Sequence, residues 1–156
     1  MATKDSAGNL IREMSYIFDE AGDKGDQLEQ TILRELESKG FPKKYTVQDD
    51  RIAGKRYRPI QIEVDSSYQI RIYHITVGKY LFARVYLYMP ISFANSLAKT
   101  MGANQNNASA SFGIAKLDLE RDAIYSAILS ICEVAFSKLN IKRLNNGYQS
   151  GQFGNQ

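Results

Sequence analysis

Two runs rich in tyrosine and arginine hold the residue types best suited to surface chemistry. Residues 68–77 read YQIRIYHITV and residues 80–89 read YLFARVYLYM, separated by Gly78-Lys79. Alternating runs about a two-residue turn containing glycine predict a β-hairpin, with Val77 opposite Tyr80. That register sets His74 against Ala83, Ile72 against Val85 and Ile70 against Leu87. One face then carries Tyr68, Ile70, Ile72, Leu81, Val85 and Leu87. The other carries Gln69, Arg71, Tyr73, Phe82, Arg84, Tyr86 and Tyr88. Rings interleaved with guanidinium groups suit three uses. They can pair across strands within the sheet, or stack exposed bases and neutralise phosphates. They can also form a protein interface, where tyrosine, phenylalanine and arginine are enriched. A protein partner is the preferred reading, because Gln61 and Glu63 fall on the same face and the positive excess of the chain is small.

Other reactive residues are few. His74 is the only histidine and the register puts it on the core face, where the expectation is a partly buried imidazole. Catalysis would need a nucleophile or acid beside it, and no motif supplies one. Cys132 lies among apolar residues and reads as a small core side chain. Asp49-Asp50 and Asp65 lack the spacing of a calcium loop and read as turn residues. Phosphate-cradling, nucleophile-elbow and zinc-protease motifs are missing from the sequence. The expectation is therefore a non-catalytic protein with no cofactor and no metal site.

At 156 residues the chain is long enough to bury one core without disulfides or metals. Its net charge of +3 is unevenly spread. Residues 1–40 hold five basic and nine acidic side chains, whereas residues 41–90 hold nine and four. The basic excess thus lies on the predicted sheet, and the acidic excess on the segment before it. A single cysteine, no apolar run of membrane-spanning length and a start without signal-peptide character predict a reduced, cytoplasmic setting.

The remaining elements must hold the hairpin in place. Leu10, Met14 and Ile17, with Ile11 and Phe18 beside them, have helical spacing and predict a short helix over 9–20. Asp26 with Glu29 resembles a capping box, opening a second helix that bears Leu28, Ile32, Leu33 and Leu36 and ends at Gly40 before Pro42. Tyr45 and Val47 start a first strand, and residues 52–58 form a basic connection with a turn at Ala53-Gly54. Ile60, Ile62 and Val64 alternate in another strand. A three-residue turn at Asp65–Ser67 opposes Ile62 to Ile70 and Ile60 to Ile72, the same core face deduced from the Gly78-Lys79 turn. After Pro90, Ser92 opens a short helix with Phe93, Leu97 and Met101 at spacing four. Residues 102–113 read as a mobile loop, and Asp118 caps the final helix.

That final helix carries two apolar stripes, one of Ile124, Ile128, Ile131, Ala135 and Leu139, the other of Tyr125, Leu129, Cys132 and Phe136. Both together exceed what one sheet face needs, which suggests a second contact. The expected architecture is α+β: an antiparallel meander of three or four strands with helices packed on one face, in the order helix-helix-strands-helix. Residues 1–8 form a disordered N-terminus, 9–144 a single domain and 145–156 a disordered Gly/Gln/Asn tail. The expected function is a protein-interaction or assembly module, self-associating through Arg71, Tyr73, Phe82, Arg84, Tyr86 and Tyr88 of the sheet, or through Tyr125, Leu129 and Phe136 of the last helix. A single-stranded nucleic-acid binder using the same sheet face is the alternative.

Overall fold

The computed structural model describes residues 9–89, 108–144 and 148–151. Its centre is the meander of β5 (Ile60–Glu63), β6 (Gln69–Val77) and β7 (Tyr80–Met89). The pairs Ile60↔Ile72, Ile62↔Ile70, Ile72↔Val85, His74↔Ala83 and Val77↔Tyr80 are those the two turns predict. Gly78 takes a φ of +60°, the left-handed conformation that a tight hairpin turn asks of glycine.

The first segment departs from expectation. Residues Asn9–Asp19 are a strand, β1, and not a helix. β1 pairs antiparallel with β7, from Asn9↔Met89 to Phe18↔Leu81, with a bulge at Ile11. The helix-like spacing arises because the bulge shifts the phase of the strand and Ile17 sits on the face opposite Tyr16 and Phe18. Beyond β7 the sheet is thus larger than a meander: the strand order is β2-β5-β6-β7-β1-β8, with every pairing antiparallel. Here β2 is Tyr45–Val47 and β8 is Lys142–Arg143. A further strand, β9 (Tyr148–Gly151), pairs with residues 12–15 of β1. Four residues of the segment expected to be a disordered tail are therefore paired into the sheet. The fold is α+β with two described helices, in the order strand-helix-strands-helix-strands.

α1 (Gly25–Ser38) packs on the inner face of the sheet through Leu28, Ile32 and Leu36. It starts at Gly25 after Lys24, which makes no side-chain cap, so Asp26 lies inside the first turn and does not cap it. Its end follows the sequence: Gly40 has a φ of +57°, Gly40 N–H donates to Glu37 O, and Phe41 N–H donates to Leu36 O. These two bonds form a Schellman motif.

α2 (Ala108–Leu139) lies beside α1. It begins ten residues before Asp118, so 108–113 are helical and Asp118 is no cap. The predicted helix from Ser92 and the predicted N-terminal disorder lie outside the described residues. Both apolar stripes of α2 turn mainly inward. Tyr125, Ile128, Ile131, Cys132, Ala135 and Phe136 are buried against Tyr16, Phe18, Ile72 and Val85 in one core. The Tyr125 hydroxyl donates to Val85 O at 3.0 Å, satisfying the one polar atom its ring brings inside. Ion pairs fix the helix to the sheet. Arg12 reaches Asp122 at 2.8 Å, and Arg121 Nε donates to Asp65 at 2.7 Å while its guanidinium lies 3.7 Å from the Tyr68 ring centroid. Burial works to raise the Asp65 carboxyl, but Arg121 and the Ser67 and Tyr68 amides outweigh it and hold its pKa below the ordinary carboxylate range. Among the described residues no helix is long and apolar enough to cross a membrane.

The segment joining β1 to α1 is stitched to the hairpin turn. Ala21 and Gly22 N–H groups both donate to Lys79 O, and Thr76 Oγ1 donates to Gly22 O at 2.8 Å. A Cβ on Gly22 would stand 2.3 Å from Gly78 O, a backbone atom that cannot rotate away. Gly22→Ala is therefore expected to destabilise the fold by about 1–3 kcal/mol, the usual range for overpacking. Urea unfolding of the variant checks this; an unchanged midpoint would count against the close approach.

Candidate functional site

The outer face of the sheet is partly roofed by a second, two-stranded sheet. The basic connection of residues 52–58 belongs to a hairpin, β3 (Asp50–Ile52) and β4 (Lys55–Tyr57), whose turn is Ala53-Gly54. Both turn residues have positive φ, +53° and +80°, which is the type I′ geometry that suits the twist of a hairpin.

One half of the outer face is closed by this hairpin. Arg71 Nη1 donates to Asp50 Oδ2 at 2.9 Å, and the two side chains are only 8% and 5% exposed. The Tyr73 hydroxyl donates to the same oxygen at 3.0 Å and accepts from Arg71 Nη1 at 3.2 Å. Arg71 Nε donates to Gln61 Oε1 at 3.0 Å, and the guanidinium lies 5.2 Å from the Tyr88 ring centroid. Tyr88 in turn donates to Gln69 Oε1 at 2.6 Å. Of the six sheet residues singled out by the sequence, Arg71 and Tyr88 are thus buried in a polar network that anchors β3 and β4. Asp50, read from sequence as a turn residue, is the partner that buries the arginine.

The other half is open. Phe82, Arg84, Tyr86 and Tyr73 line a groove of about 350 Å³ together with Ile75, Val77, Ile52 and Tyr57. Its aromatic wall is a run of edge contacts, Tyr57 to Tyr73 at 6.3 Å and Tyr73 to Tyr86 at 5.6 Å. Ile75 and Val77 are 40% and 56% exposed. Both lie on the same face as Arg71 and Tyr73 by simple alternation, so the sequence carried the signal for them. Arg84 stands at the rim, 3.0 Å from Glu13 and 3.3 Å from the Tyr86 hydroxyl. Among the described residues the lining has no carboxylate, histidine or cysteine. These residues offer apolar surface, ring edges and one charge-paired guanidinium.

The last-helix residues fall elsewhere. Tyr125 and Phe136 are buried in the core and Leu129 packs half-buried against it, so none of the three forms a free contact surface. The stripe had the right apolarity but turns inward, because β1 widens the sheet that α2 covers. The outward side of α2 carries instead a shallow groove of about 430 Å³, formed by Ala123, Ile124, Ala127, Ile131 and Val134 with Phe41 and Pro42. Cys132 is fully buried and its thiol is pushed up to about 12, chiefly by burial. Among the described residues no group of three or more histidine, cysteine, aspartate or glutamate side chains could hold a metal ion. Against known proteins, the chain matches no family model, no curated protein and no solved structure.

Proposed function

We propose that this protein is a non-catalytic interaction or assembly module whose contact surface is the open half of the outer sheet face, and that it self-associates there. One observation carries the reading: Ile75, Val77 and Ile52 remain exposed around an aromatic groove, although the two described helices lie on the other side of the sheet. Burying a large aliphatic side chain is worth about 1.5–3 kcal/mol, so a partner that covers these residues gains from each of them. The reduced, cytoplasmic setting belongs to the same proposal and rests on a single buried cysteine.

Sedimentation velocity across micromolar concentrations tests it. The wild-type protein is expected to show concentration-dependent association. Ile75→Asp with Val77→Asp is expected to raise the dissociation constant by at least about tenfold while leaving thermal stability nearly unchanged. A wild-type protein that stays monomeric at every concentration would remove the self-association reading. The alternative, single-stranded nucleic acid on the same face, is supported by Tyr86 and Phe82 beside Arg84. It is weakened by the commitment of Arg71 to Asp50 and of Arg56 and Arg58 to Asp49. That reading requires a labelled oligonucleotide to bind at low salt, to be released as salt rises and to be lost in Arg84→Ala.

A further inference from the structure

The lone histidine occupies a junction that the contact surface does not use. Its ring lies on the backbone at the start of α1: a Cβ on Gly25 would come within 2.8 Å of His74 Nδ1 and 3.2 Å of Cε1. The N-cap residue Lys24 makes no side-chain cap at that helix end, where the helix dipole places partial positive charge. Four residues on, and therefore on the same side of α1, is Glu29. Glu29 is 4% exposed and its Oε1 accepts no hydrogen bond. A buried carboxylate oxygen without a donor is unfavourable, and an imidazolium nearby would compensate it.

The charges around His74 are few. From α1 come Glu29 and Asp26, both favouring a protonated ring; from the segment before β5 comes Arg58, opposing it. Its partner on β7 is Ala83, which brings no charge. Burial is the largest influence and disfavours the imidazolium, Glu29 pulls the other way, and the balance leaves the ring harder to protonate than an ordinary histidine.

We propose that His74 is a proton-operated latch between the start of α1 and the β6–β7 hairpin, closed while the imidazole is neutral and loosened when it is charged, with Glu29 setting the threshold. The unfolded chain takes up the proton near about pH 6.5, more readily than the folded one. The latch is therefore complete above that value and is lost as the pH falls through the lower folded-state pKa. Ile75 and Val77 follow this position on the same strand, so loosening the latch bears directly on the strand that lines the outer groove. The bonds of Ala21, Gly22 and Thr76 to and from the hairpin turn are independent of pH and keep the junction from opening fully. The latch does not depend on what the groove binds.

Because His74 is the only histidine, its imidazole resonances in an NMR titration stand alone. The midpoint is expected below about 6.5 in the wild type, and lower again in Glu29→Gln. Exchange of the Leu28 amide, whose hydrogen bond to Lys24 O closes the first turn of α1, reports on the latch itself. After correction for intrinsic rates, it is expected to speed up between about pH 7.5 and about pH 5.5 in the wild type and to stay flat in His74→Gln. A wild-type midpoint at or above the ordinary value overturns the latch. So does an unchanged or higher midpoint in Glu29→Gln, or a wild-type Leu28 amide indifferent to pH. Should His74→Gln fail to fold, the Glu29→Gln titration decides, since it reads the native imidazole.

Discussion

Arg71→Ala is expected to lower the unfolding free energy by about 3–5 kcal/mol, the range for removing one partner of a buried ion pair. The reason is what it leaves behind. Asp50, 5% exposed, would keep the Tyr73 hydroxyl at 3.0 Å and lose the guanidinium at 2.9 Å. Gln61 would lose the donor at 3.0 Å to its side-chain oxygen, and the Tyr88 ring its cation. Arg71→Met combined with Asp50→Leu removes both charges together and is expected to recover much of the loss, since apolar replacements of buried pairs are often neutral. Urea unfolding of the two variants makes the comparison. If Arg71→Ala unfolds at the wild-type midpoint, the β3–β4 hairpin is not anchored as described. Because the same hairpin supplies Ile52 and Tyr57 to the groove, Arg71→Ala should also weaken self-association, although Arg71 lines no part of it.

Phe136→Ala is expected to cost about 3–5 kcal/mol, as large-to-small changes at buried aromatics do. Its ring is 4.8 Å from that of Tyr16 and 4.6 Å from that of Phe18, both on β1, so the substitution opens a hole where α2 meets the first strand. This residue separates two roles that its apolarity alone cannot. A contact residue on the surface would change association and spare stability; a core residue does the reverse. Urea unfolding and sedimentation of one variant give both answers, and a variant as stable as wild type would return Phe136 to the surface.

How far the sequence could be read depended on how local the determinants were. The register of β5, β6 and β7 follows from two short turns, Asp65–Ser67 and Gly78-Lys79, which demand the same inner face independently. The end of α1 follows from Gly40 and Pro42 for the same reason. β1 was not legible. Ile11 falls in a bulge and Ile17 on the outer face, so a strand with apolar residues on both sides imitates the spacing of a helix. The start of α2 was hidden too, because Ala108–Gly113 is built of small and polar residues that read as loop.

For the candidate site the residue types on β6 and β7 were legible and their availability was not. Alternation places Arg71, Tyr73, Phe82, Arg84, Tyr86 and Tyr88 on one face. Only Asp50, 21 residues before Arg71, decides which of them is spent inside the fold. Nothing within the hairpin marks that pairing. Ile75 and Val77 were within reach of the same alternation and turn out to matter more for the groove than the buried arginine.

The position of β1 also governs when the molecule can form during its synthesis. The first strand waits for a partner 63 to 80 residues further along, from Phe18↔Leu81 to Asn9↔Met89. At about 5–20 residues per second, the ribosome delivers β7 roughly 3–16 s after β1. Until then the run Met14–Phe18 has neither neighbour strand nor covering helix, and α2, which seals it, arrives later still. A growing chain that pauses between α1 and β7 therefore exposes an apolar strand with two unsatisfied edges, a natural ligand for a holding chaperone and a starting point for aggregation.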